Sequence, residues 1–444
     1  MRTYKDYSLS LPLCLLIFVH INIITNLQAQ DFEPEEYTSI RHEQSDFYEE
    51  NGPESSDVMP TSIFEQLRSS FVPACSENSE CGMKKQVYGY HPHWMGADTY
   101  QRYDYSLLTT FCYFGYDLNP YTGAYRDIHH WKTTQSVDLA KAAGNRVELA
   151  VTNFGGANNA RFLNNKKAWT KLVDSLVELL DYRNADGVNI DFENVRKQQK
   201  ASLTEFMRYL SKRLKTERPG SSVTMAVPGL NNYRIYDVAV LQEVVDAFVI
   251  MGYDYHYSRS KHAGPVAPLK GYLSLESTLR SYLCTGVDKS KLILAVPYYG
   301  REWQTKGHGV PSNSTAYVSS RTFAEIKSKY EGQYTEKWHI ASATPYYVRG
   351  KAGSFKQCWF DSKQSIGRKY DLAMMEDIGG VGMWALGYDK GHTDLWDLLQ
   401  EKFQVCGEEA KVLFASSNKQ KTSNSKERKP LFKLLIDTYN RFVD

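Results

Sequence analysis

Short apolar runs rich in β-branched and aromatic residues alternate along most of the chain with stretches of helical apolar spacing. Runs of about four to eight such residues are typical of buried strands, and apolar residues three and four apart are typical of amphipathic helices. The predicted strands are Gln86–Tyr90, Thr109–Gly115, Arg146–Asn153, Gly187–Glu193, Val223–Pro228, Ala247–Asp254, Leu292–Tyr299 and Gly380–Ala385. Helical spacing is clearest at Trp169–Tyr182, Leu203–Leu214, Leu275–Leu283 and Ser365–Met375. Eight strand-then-helix units predict an α/β fold, a closed (β/α)8 TIM barrel, in which functional side chains collect at the carboxyl ends of the strands.

The start of the chain has the pattern of an export signal. Basic residues are followed by an apolar run from Leu9 to about Ile24. Leu27-Gln28-Ala29 fits the small-residue rule for cleavage, which predicts a signal peptide at residues 1–29 and a mature chain from about Gln30. A transmembrane anchor is the alternative, but polar residues interrupt the run and it is shorter than a full span. We therefore expect a secreted protein with no membrane anchor in its mature form; the periplasm and the cell surface are other possible destinations.

An acidic stretch follows the predicted signal peptide. From Asp31 to Glu80 the chain has thirteen acidic residues against two basic ones, Arg41 and Arg68, with few apolar residues between them. Such a composition buries too little surface to order itself. Residues 30–83 are therefore predicted to be a disordered linker before a barrel domain of residues 84–405.

The remaining composition excludes several classes of partner. Net charge is +2 over 444 residues, so no preference for nucleic acid or membranes follows. Residues 406–444 are predicted to be a basic, mostly disordered tail, in which Leu431–Phe442 has the spacing of a short docking helix. That helix is too short and too weakly basic to be a membrane helix. We expect a monomer.

Cysteine usage is compatible with export. Six cysteines remain after the predicted cleavage, and a disulfide is permitted but not required in a domain of this size. Cys75 and Cys81 flank a short polar loop, where a local bridge is plausible, and Cys112 is predicted to be a buried free thiol. No Cys/His spacing indicates a metal site.

The strand Gly187–Glu193 carries the candidate chemistry. Its Val, Ile and Phe point to one face, while Asn189, Asp191 and Glu193 alternate onto the other. Polar groups inside an apolar strand are costly unless partnered or used, which favours a catalytic carboxylate cluster over a solvated surface strand. Asp191 is close enough to orient Glu193 by a hydrogen bond and to raise its pKa by like-charge repulsion, which suits a proton donor. Asp186 is out of phase and is predicted to bond to backbone amides at the start of the strand.

This segment resembles the Asp-Gly-x-(Asp/Asn)-x-Asp-x-Glu signature of glycoside hydrolase family 18, the chitinase family. Four further segments resemble that family in the same order, and the resemblance covers about Gln86 to Phe403. They are Val87–Tyr90 with Trp94, Met251–Asp254, Pro297–Arg301 and Gly379–Trp384. The resemblance also implies that the long seventh unit contains a small α+β insertion at about residues 304–360. An elaborated loop is the alternative for this region.

Two positions depart from the family pattern. Asn189 stands where many active members have Asp, although the pattern admits Asn, and Asn153 stands where the family usually has Ser. Neither change removes the proton donor, Glu193. Both changes instead bear on how the pKa of Asp191 is tuned. A second Asp at 189 would share a proton with Asp191, whereas Asn adds no charge, so Asp191 is expected to ionise more readily and activity to be retained.

Both acids lie on one strand and cannot flank an anomeric carbon, which favours the family's mechanism in which the substrate's N-acetyl group is the nucleophile. The resemblance then implies that Glu193 is the acid and base, and that Asp191 stabilises the charged intermediate. Tyr253 would orient the acetamide, and Trp384 would form an apolar floor under the sugar. The other expected substrate-binding residues are Tyr90, Asn189, Asp254, Tyr299 and Arg301. No cofactor or metal is implied.

Three functions remain open at this stage. The leading one is a secreted retaining glycosidase acting on chitin or chitooligosaccharides. A second keeps the chemistry but changes the glycan to peptidoglycan or the N-glycan core. The third is a chitin-binding lectin that has lost catalysis, which the presence of Glu193 argues against. Loop lengths around the cleft decide between endo and exo cleavage, so the sequence does not.

Overall fold

Strands and helices alternate along the computed structural model, which describes residues 37–70, 81–407 and 410. The strands are β1 Cys81–Met83, β2 Gln86–Pro92, β3 Thr110–Leu118, β4 Tyr125–Asp127, β5 Arg146–Phe154, β6 Gly187–Glu193, β7 Ser222–Pro228, β8 Ala247–Met251, β9 His262–Ala263, β10 Leu292–Pro297, β11 Tyr299–Thr305, β12 Ser312–Thr322, β13 Lys337–His339, β14 Thr344–Arg349, β15 Phe355–Trp359, β16 Gly380–Trp384 and β17 Gln404–Cys406. The helices are α1 Ile40–Asn51, α2 Thr61–Ser70, α3 Ala97–Tyr100, α4 Gln135–Ala142, α5 Gly156–Leu163, α6 Lys166–Arg183, α7 Lys200–Glu217, α8 Val238–Leu241, α9 Leu275–Leu283, α10 Phe323–Lys329, α11 Lys363–Met375 and α12 Asp394–Phe403.

The eight predicted strands close into one parallel barrel. They follow the order β2–β16–β10–β8–β7–β6–β5–β3, and β3 pairs with β2 to complete the ring. Each predicted helix is present, as α6, α7, α9 and α11. The (β/α)8 fold predicted from the sequence is confirmed, and the carboxyl ends of the strands form one mouth.

The two faces of β6 are those predicted from its alternation. Phe192 points outward, where its ring stacks on Phe206 of α7 with the centroids 5.5 Å apart. Asn189 points into the barrel, where its side chain contacts Tyr90 of β2 and Thr224 of β7. Asp186 accepts a hydrogen bond from the Val147 amide at 2.8 Å, which is the backbone role predicted for it.

The seventh unit contains the expected α+β insertion. Strands β11–β15 and helix α10 lie between β10 and α11, and the strands form a sheet in the order β13–β14–β15–β11–β12–β9. The insertion begins at Tyr299, slightly before the predicted start at 304, because β11 follows β10 after a single residue. Glu302 holds its sheet together by accepting hydrogen bonds from Arg349 and Tyr330.

Residues 37–70, here called the N-terminal segment, form two helices and a non-helical connection where the acidic composition predicted a disordered linker. They contain α1 and α2. Ile40 and Arg41 are fully buried, and the Tyr48 ring stacks on Trp94 of the barrel with the centroids 4.9 Å apart. The composition rule failed because it measures what a segment can bury within itself. This segment buries Ile40 and Arg41 against the barrel and stacks Tyr48 on it instead.

A disulfide joins the two ends of the barrel domain. Cys81 is bonded to Cys406, where β1 and β17 pair antiparallel, so the predicted Cys75–Cys81 bridge is wrong. Cys284 is also disulfide-bonded, and Cys112 is a buried free thiol as predicted. The two ends of a barrel chain lie beside each other in space, which sequence spacing does not reveal.

Several predictions fall outside the described residues. They concern the signal peptide at 1–29, Cys75, and the tail with its helix at Leu431–Phe442, of which only residues 406, 407 and 410 are described. Within the described part of the chain, no helix is both long and apolar enough to cross a membrane.

Candidate active site

The two acids of β6 lie at the mouth of the barrel and are shielded from water. Asp191 is fully buried and Glu193 is 3% exposed. Burial, and next the nearby charge of Asp191, raise the pKa of Glu193 to about 8. Burial also raises the pKa of Asp191, even though the Arg41 guanidinium beside it acts in the opposite direction. Glu193 therefore holds a proton near neutral pH, as a general acid must.

The coupling between the two acids is electrostatic. Asp191 Oδ2 accepts a hydrogen bond from Arg41 Nη1 at 2.8 Å rather than meeting Glu193. Among the described residues, Asp191 Oδ1 and Glu193 Oε1 are buried without a hydrogen-bond partner. The predicted hydrogen bond between the two carboxyls is therefore replaced by one from outside the strand. Buried oxygens without a hydrogen-bond partner are energetically costly, and a catalytic or ligand-binding role is one explanation for them.

Three aromatic residues predicted for the site surround these acids. Tyr253, just after β8, is 4% exposed, and its hydroxyl accepts a hydrogen bond from Arg41 Nε at 2.8 Å. Trp384 ends β16 and lies 5.8 Å from Tyr90 of β2, centroid to centroid. The Arg41 guanidinium lies 3.9 Å from the Tyr90 ring centroid and 4.7 Å from that of Trp384. Trp384, the predicted floor, and the Tyr253 hydroxyl, predicted to orient the acetamide, thus both contact the Arg41 guanidinium.

The other predicted binding residues form a charged group beside this centre. Asp254 Oδ1 accepts hydrogen bonds from the Tyr299 hydroxyl at 2.6 Å and from Arg301 Nε at 3.0 Å. Arg301 Nη1 also donates to Glu43 of α1 at 2.6 Å. These three predicted residues are close together, and they are bonded to each other and to the N-terminal segment.

Asn189 and Asn153, the two positions that depart from the family pattern, are hydrogen-bonded to residues other than Asp191. Asn189 donates to Thr224 at 2.8 Å and accepts from the Tyr90 hydroxyl at 3.1 Å, so it links the site to a deeper polar layer. Asn153 donates to Asn159 Oδ1 at 3.0 Å, and Asn159 donates to the backbone carbonyl of Glu193 at 2.6 Å. Asn153 therefore supports the position of Glu193 through a neighbour.

Sequence reasoning missed that the N-terminal segment reaches into the site. Its contributing residues are Ser39, Ile40, Arg41, Glu43 and Gln44. The sequence signal that could have found it is the isolated positive charge of Arg41. This residue is one of two basic residues among the thirteen acidic ones between Asp31 and Glu80. Burial alone would lower the pKa of Arg41, but Asp191 and then Tyr253 raise it well above its ordinary value. The guanidinium is thus held as a buried cation.

Within residues 37–70 and 81–407, no group of three or more His, Cys, Asp or Glu side chains is placed to hold a metal ion. The residues brought together at the mouth are two coupled acids, a tyrosine hydroxyl, an aromatic floor and a flanking Asp–Arg group.

Comparison with known proteins identifies sequences and folds of the same kind. The chain is 29% identical over 239 residues to the putative sporulation-specific glycosylase YdhD of Bacillus subtilis, a match covering 52% of this chain and 54% of that one. It is 25% identical over 342 residues to the di-N-acetylchitobiase of Homo sapiens, covering 69% of this chain and 82% of that one. The chain thus spans about half the length of the first of these relatives.

A solved structure shares the fold. The GH18 chitinase from Cycas revoluta in complex with (GlcNAc)3 superposes with a TM-score of 0.65 at 19% identity, covering 71% of this chain and 99% of that one. The sequence profile of the glycosyl hydrolases family 18 matches residues 86–389 and leaves the N-terminal segment outside. Because this match covers more than half of the chain, the chain belongs to the glycosyl hydrolases family 18.

Proposed function

We propose that this protein is a secreted retaining glycosidase that hydrolyses β-1,4-linked N-acetylglucosamine oligomers or polymers by substrate-assisted catalysis. The observation that carries the proposal is Glu193. It is a buried acid at the barrel mouth, its pKa is raised to about 8, and one of its oxygens has no partner among the described residues. Family membership supports the reaction class.

In the first step, Glu193 donates its proton to the glycosidic oxygen. The acetamide oxygen of the bound sugar attacks the anomeric carbon, the bond to the leaving oxygen breaks, and an oxazolinium intermediate forms. In the second step, Glu193 takes a proton from water as the water attacks the same carbon, and the acetamide is restored. Two inversions leave the configuration retained.

Asp191 and Tyr253 serve the acetamide in this scheme. The Asp191 carboxylate accepts the acetamide N–H and stabilises the positive charge of the intermediate. The Tyr253 hydroxyl donates to the acetamide oxygen and fixes its line of attack. Trp384 supports the sugar ring on its apolar face. Asp254, Tyr299 and Arg301 bind sugar hydroxyls beside Trp384 once the N-terminal segment has released Asp254 and Arg301.

The relatives support a preference for N-acetylglucosamine glycans without fixing the polymer. The similar proteins include a di-N-acetylchitobiase of Homo sapiens and a GH18 chitinase in complex with (GlcNAc)3. A second candidate substrate is peptidoglycan. The similar proteins also include a putative sporulation-specific glycosylase of Bacillus subtilis and the cortical fragment-lytic enzyme of Bacillus anthracis. The pattern at residues 1–29 supports export.

The test is product analysis with one matched variant. The mature protein is incubated at rising concentrations of chitooligosaccharides, peptidoglycan fragments and an N-glycan. Products are identified by mass spectrometry and their anomeric form by NMR. We expect β-anomeric chitooligosaccharide products from the wild type and none from Glu193→Gln. Binding without turnover in both proteins would instead identify a lectin, and an α-anomeric product would exclude the retaining mechanism.

A further inference from the structure

The N-terminal segment occupies the place that the proposed substrate needs. We propose that residues 37–52 are an intramolecular inhibitor, in which Arg41 stands in for the cationic reaction centre of the bound sugar. This inference rests on the proposed function, because it identifies the blocked cleft with the glycan site. It concerns a part of the chain that the family match does not include.

Arg41 contacts the residues that would contact the sugar. Its guanidinium donates to Asp191 and Tyr253 at 2.8 Å each, and it lies over the rings of Tyr90 and Trp384. Asp191 is the group assigned to the oxazolinium charge, so a buried guanidinium satisfies the same carboxylate with the same sign of charge. The Arg41 guanidinium and a sugar ring stacked on Trp384 would occupy the same space, so they cannot be bound at the same time.

The residues around Arg41 occupy the remaining polar groups of the cleft. The Ile40 amide donates to Asp254 Oδ2 at 2.7 Å, and Glu43 Oε2 accepts from Arg301 at 2.6 Å. Gln44 Oε1 accepts from the Trp384 indole N–H at 2.9 Å. The Ser39 side chain acts to lower the pKa of Glu193, so the segment also reaches the catalytic acid.

The cleft is closed as a result. Asp191, Glu193, Tyr253 and Trp384 are between 0 and 4% exposed, whereas groups that bind a polysaccharide have to be reachable from solvent. A segment that merely formed one wall of the cleft would leave these four side chains open on the other side. Their burial therefore distinguishes a blocking segment from a flanking one.

The chain after α1 is fixed to the barrel surface. The Glu54 amide donates to the Trp94 carbonyl at 2.9 Å, and the Tyr100 hydroxyl donates to the Asp57 carbonyl at 2.5 Å. The Met59 amide donates to Gln135 of α4 at 2.9 Å. These contacts keep α1 beside the mouth even when Arg41 has left it. A tethered competitor of this kind acts at a high effective concentration, commonly millimolar.

A tethered competitor has a kinetic signature. Substrate binds only to the open form, so the apparent dissociation constant is the intrinsic one divided by the open fraction. Saturating substrate still opens every molecule. Release of the segment should therefore bring KM down to its intrinsic value, which is the wild-type KM multiplied by the open fraction. The value of kcat should not change.

The closing experiment uses the full mature chain with two releasing substitutions tested separately. Arg41→Glu places a carboxylate against Asp191 and Glu193. Ile40→Pro removes the N–H that Asp254 accepts; Pro is tolerated at this first helical position, so α1 remains intact. The matched control is Arg68→Glu, the same substitution at the other basic residue of the acidic stretch. Arg68 is exposed, and its ion pair among the described residues is a local one with Glu65.

Two measurements are made on each protein. One is kcat and KM on a soluble chitooligosaccharide, and the other is amide hydrogen exchange of residues 40–51. We expect both releasing variants to lower KM at least ten-fold with kcat unchanged and to speed exchange, while Arg68→Glu matches the wild type. Added chitooligosaccharide should speed exchange of the same residues in the wild type.

The outcomes separate two kinds of failure. If exchange speeds up but KM stays at the wild-type value, the segment does not compete with substrate and the inhibitory role is overturned. A rise in kcat without a fall in KM would overturn the inhibitory role as well. If exchange speeds up and neither variant binds or cleaves any of the glycans, the proposed function fails first, and the inhibitory role fails with it.

Discussion

Glu148 on β5 and Glu193 on β6 are both buried carboxyls inside the same barrel, and burial raises the pKa of each. Their partners differ. Glu148 accepts hydrogen bonds from the hydroxyls of Ser222 at 2.5 Å, and of Tyr88 and Thr224 at 2.6 Å. Glu193 keeps Oε1 without a partner among the described residues. Burial and a raised pKa therefore do not identify a catalytic acid on their own. What separates Glu193 from Glu148 is an unpartnered oxygen at the mouth of the barrel.

Depth in the barrel explains the difference. Glu148 is in register with Gly187, the first residue of β6, whereas Glu193 is the last. Six residues of strand separate the two levels, which is about 20 Å. The amino-terminal layer of a TM barrel is a packed core, where every polar group has to be satisfied internally, while the carboxyl mouth meets the ligand.

The largest expected effect is that of Glu193→Gln, measured in an Arg41→Glu background so that the cleft is open. Gln fills the same space but has no proton to transfer, so kcat should fall by about a thousand-fold or more. Binding of chitooligosaccharide, measured by calorimetry, should stay near that of the parent. Near-normal turnover would assign the acid to another residue.

Glu193→Gln made alone, with Arg41 in place, should gain stability with rising pH relative to the wild type. The pKa of Glu193 is raised to about 8 by folding, so the native state resists its ionisation. The wild type therefore loses stability as pH rises from the ordinary pKa of Glu, about 4.5, through about 8, while a Gln at this position is insensitive. Thermal unfolding of both proteins at pH 5 and pH 9 measures this difference; equal shifts in Tm would contradict it.

Asp191→Asn should lower kcat by a smaller factor, about a hundred-fold, in the Arg41→Glu background. A neutral amide cannot stabilise the oxazolinium charge, but the proton donor is untouched. A thiazoline analogue of the intermediate should inhibit the parent and bind this variant more weakly. Equal inhibition of the two proteins would mean that positive charge does not develop beside Asp191.

The sequence predicted the barrel, and the positions of the residues at its mouth, because these follow largely from local patterns. Strand alternation placed Asn189, Asp191 and Glu193 on one face. The strand ends together with the family resemblance placed Tyr253 and Trp384 near them. The partners of these residues did not follow, because they come from elsewhere in the chain. Arg41 reaches Asp191 across 150 positions, and Glu148 meets Thr224 across 76.

The matching test at the deeper layer is Glu148→Gln, the same chemical change made where the carboxyl is satisfied. One of its oxygens becomes an amide donor facing hydroxyls that themselves donate, so unfolding free energy should fall by about 1–3 kcal/mol. Activity of the folded protein should change little, because the residue does not reach the mouth. Denaturant unfolding and kcat together measure this. A variant that stays stable but loses activity would move Glu148 into the catalytic group.

The smallest expected effect is that of Asn189→Asp. Asn189 lies between the layer of Glu148 and the mouth of the barrel. Asn189 is two residues below Asp191 and shares Thr224 with Glu148, so a carboxylate there adds a charge that both layers sense. Like charge should raise the pKa of Asp191, which moves the acidic limb of the pH–rate profile to higher pH by about one unit. The maximum should change less, because Glu193 and the aromatic floor are untouched. The measurement is kcat/KM against pH on a chitooligosaccharide with a chromogenic leaving group, in the Arg41→Glu background for both proteins. If the two profiles superimpose, Asn189 is not coupled to the catalytic pair and belongs with Glu148 to the structural layer.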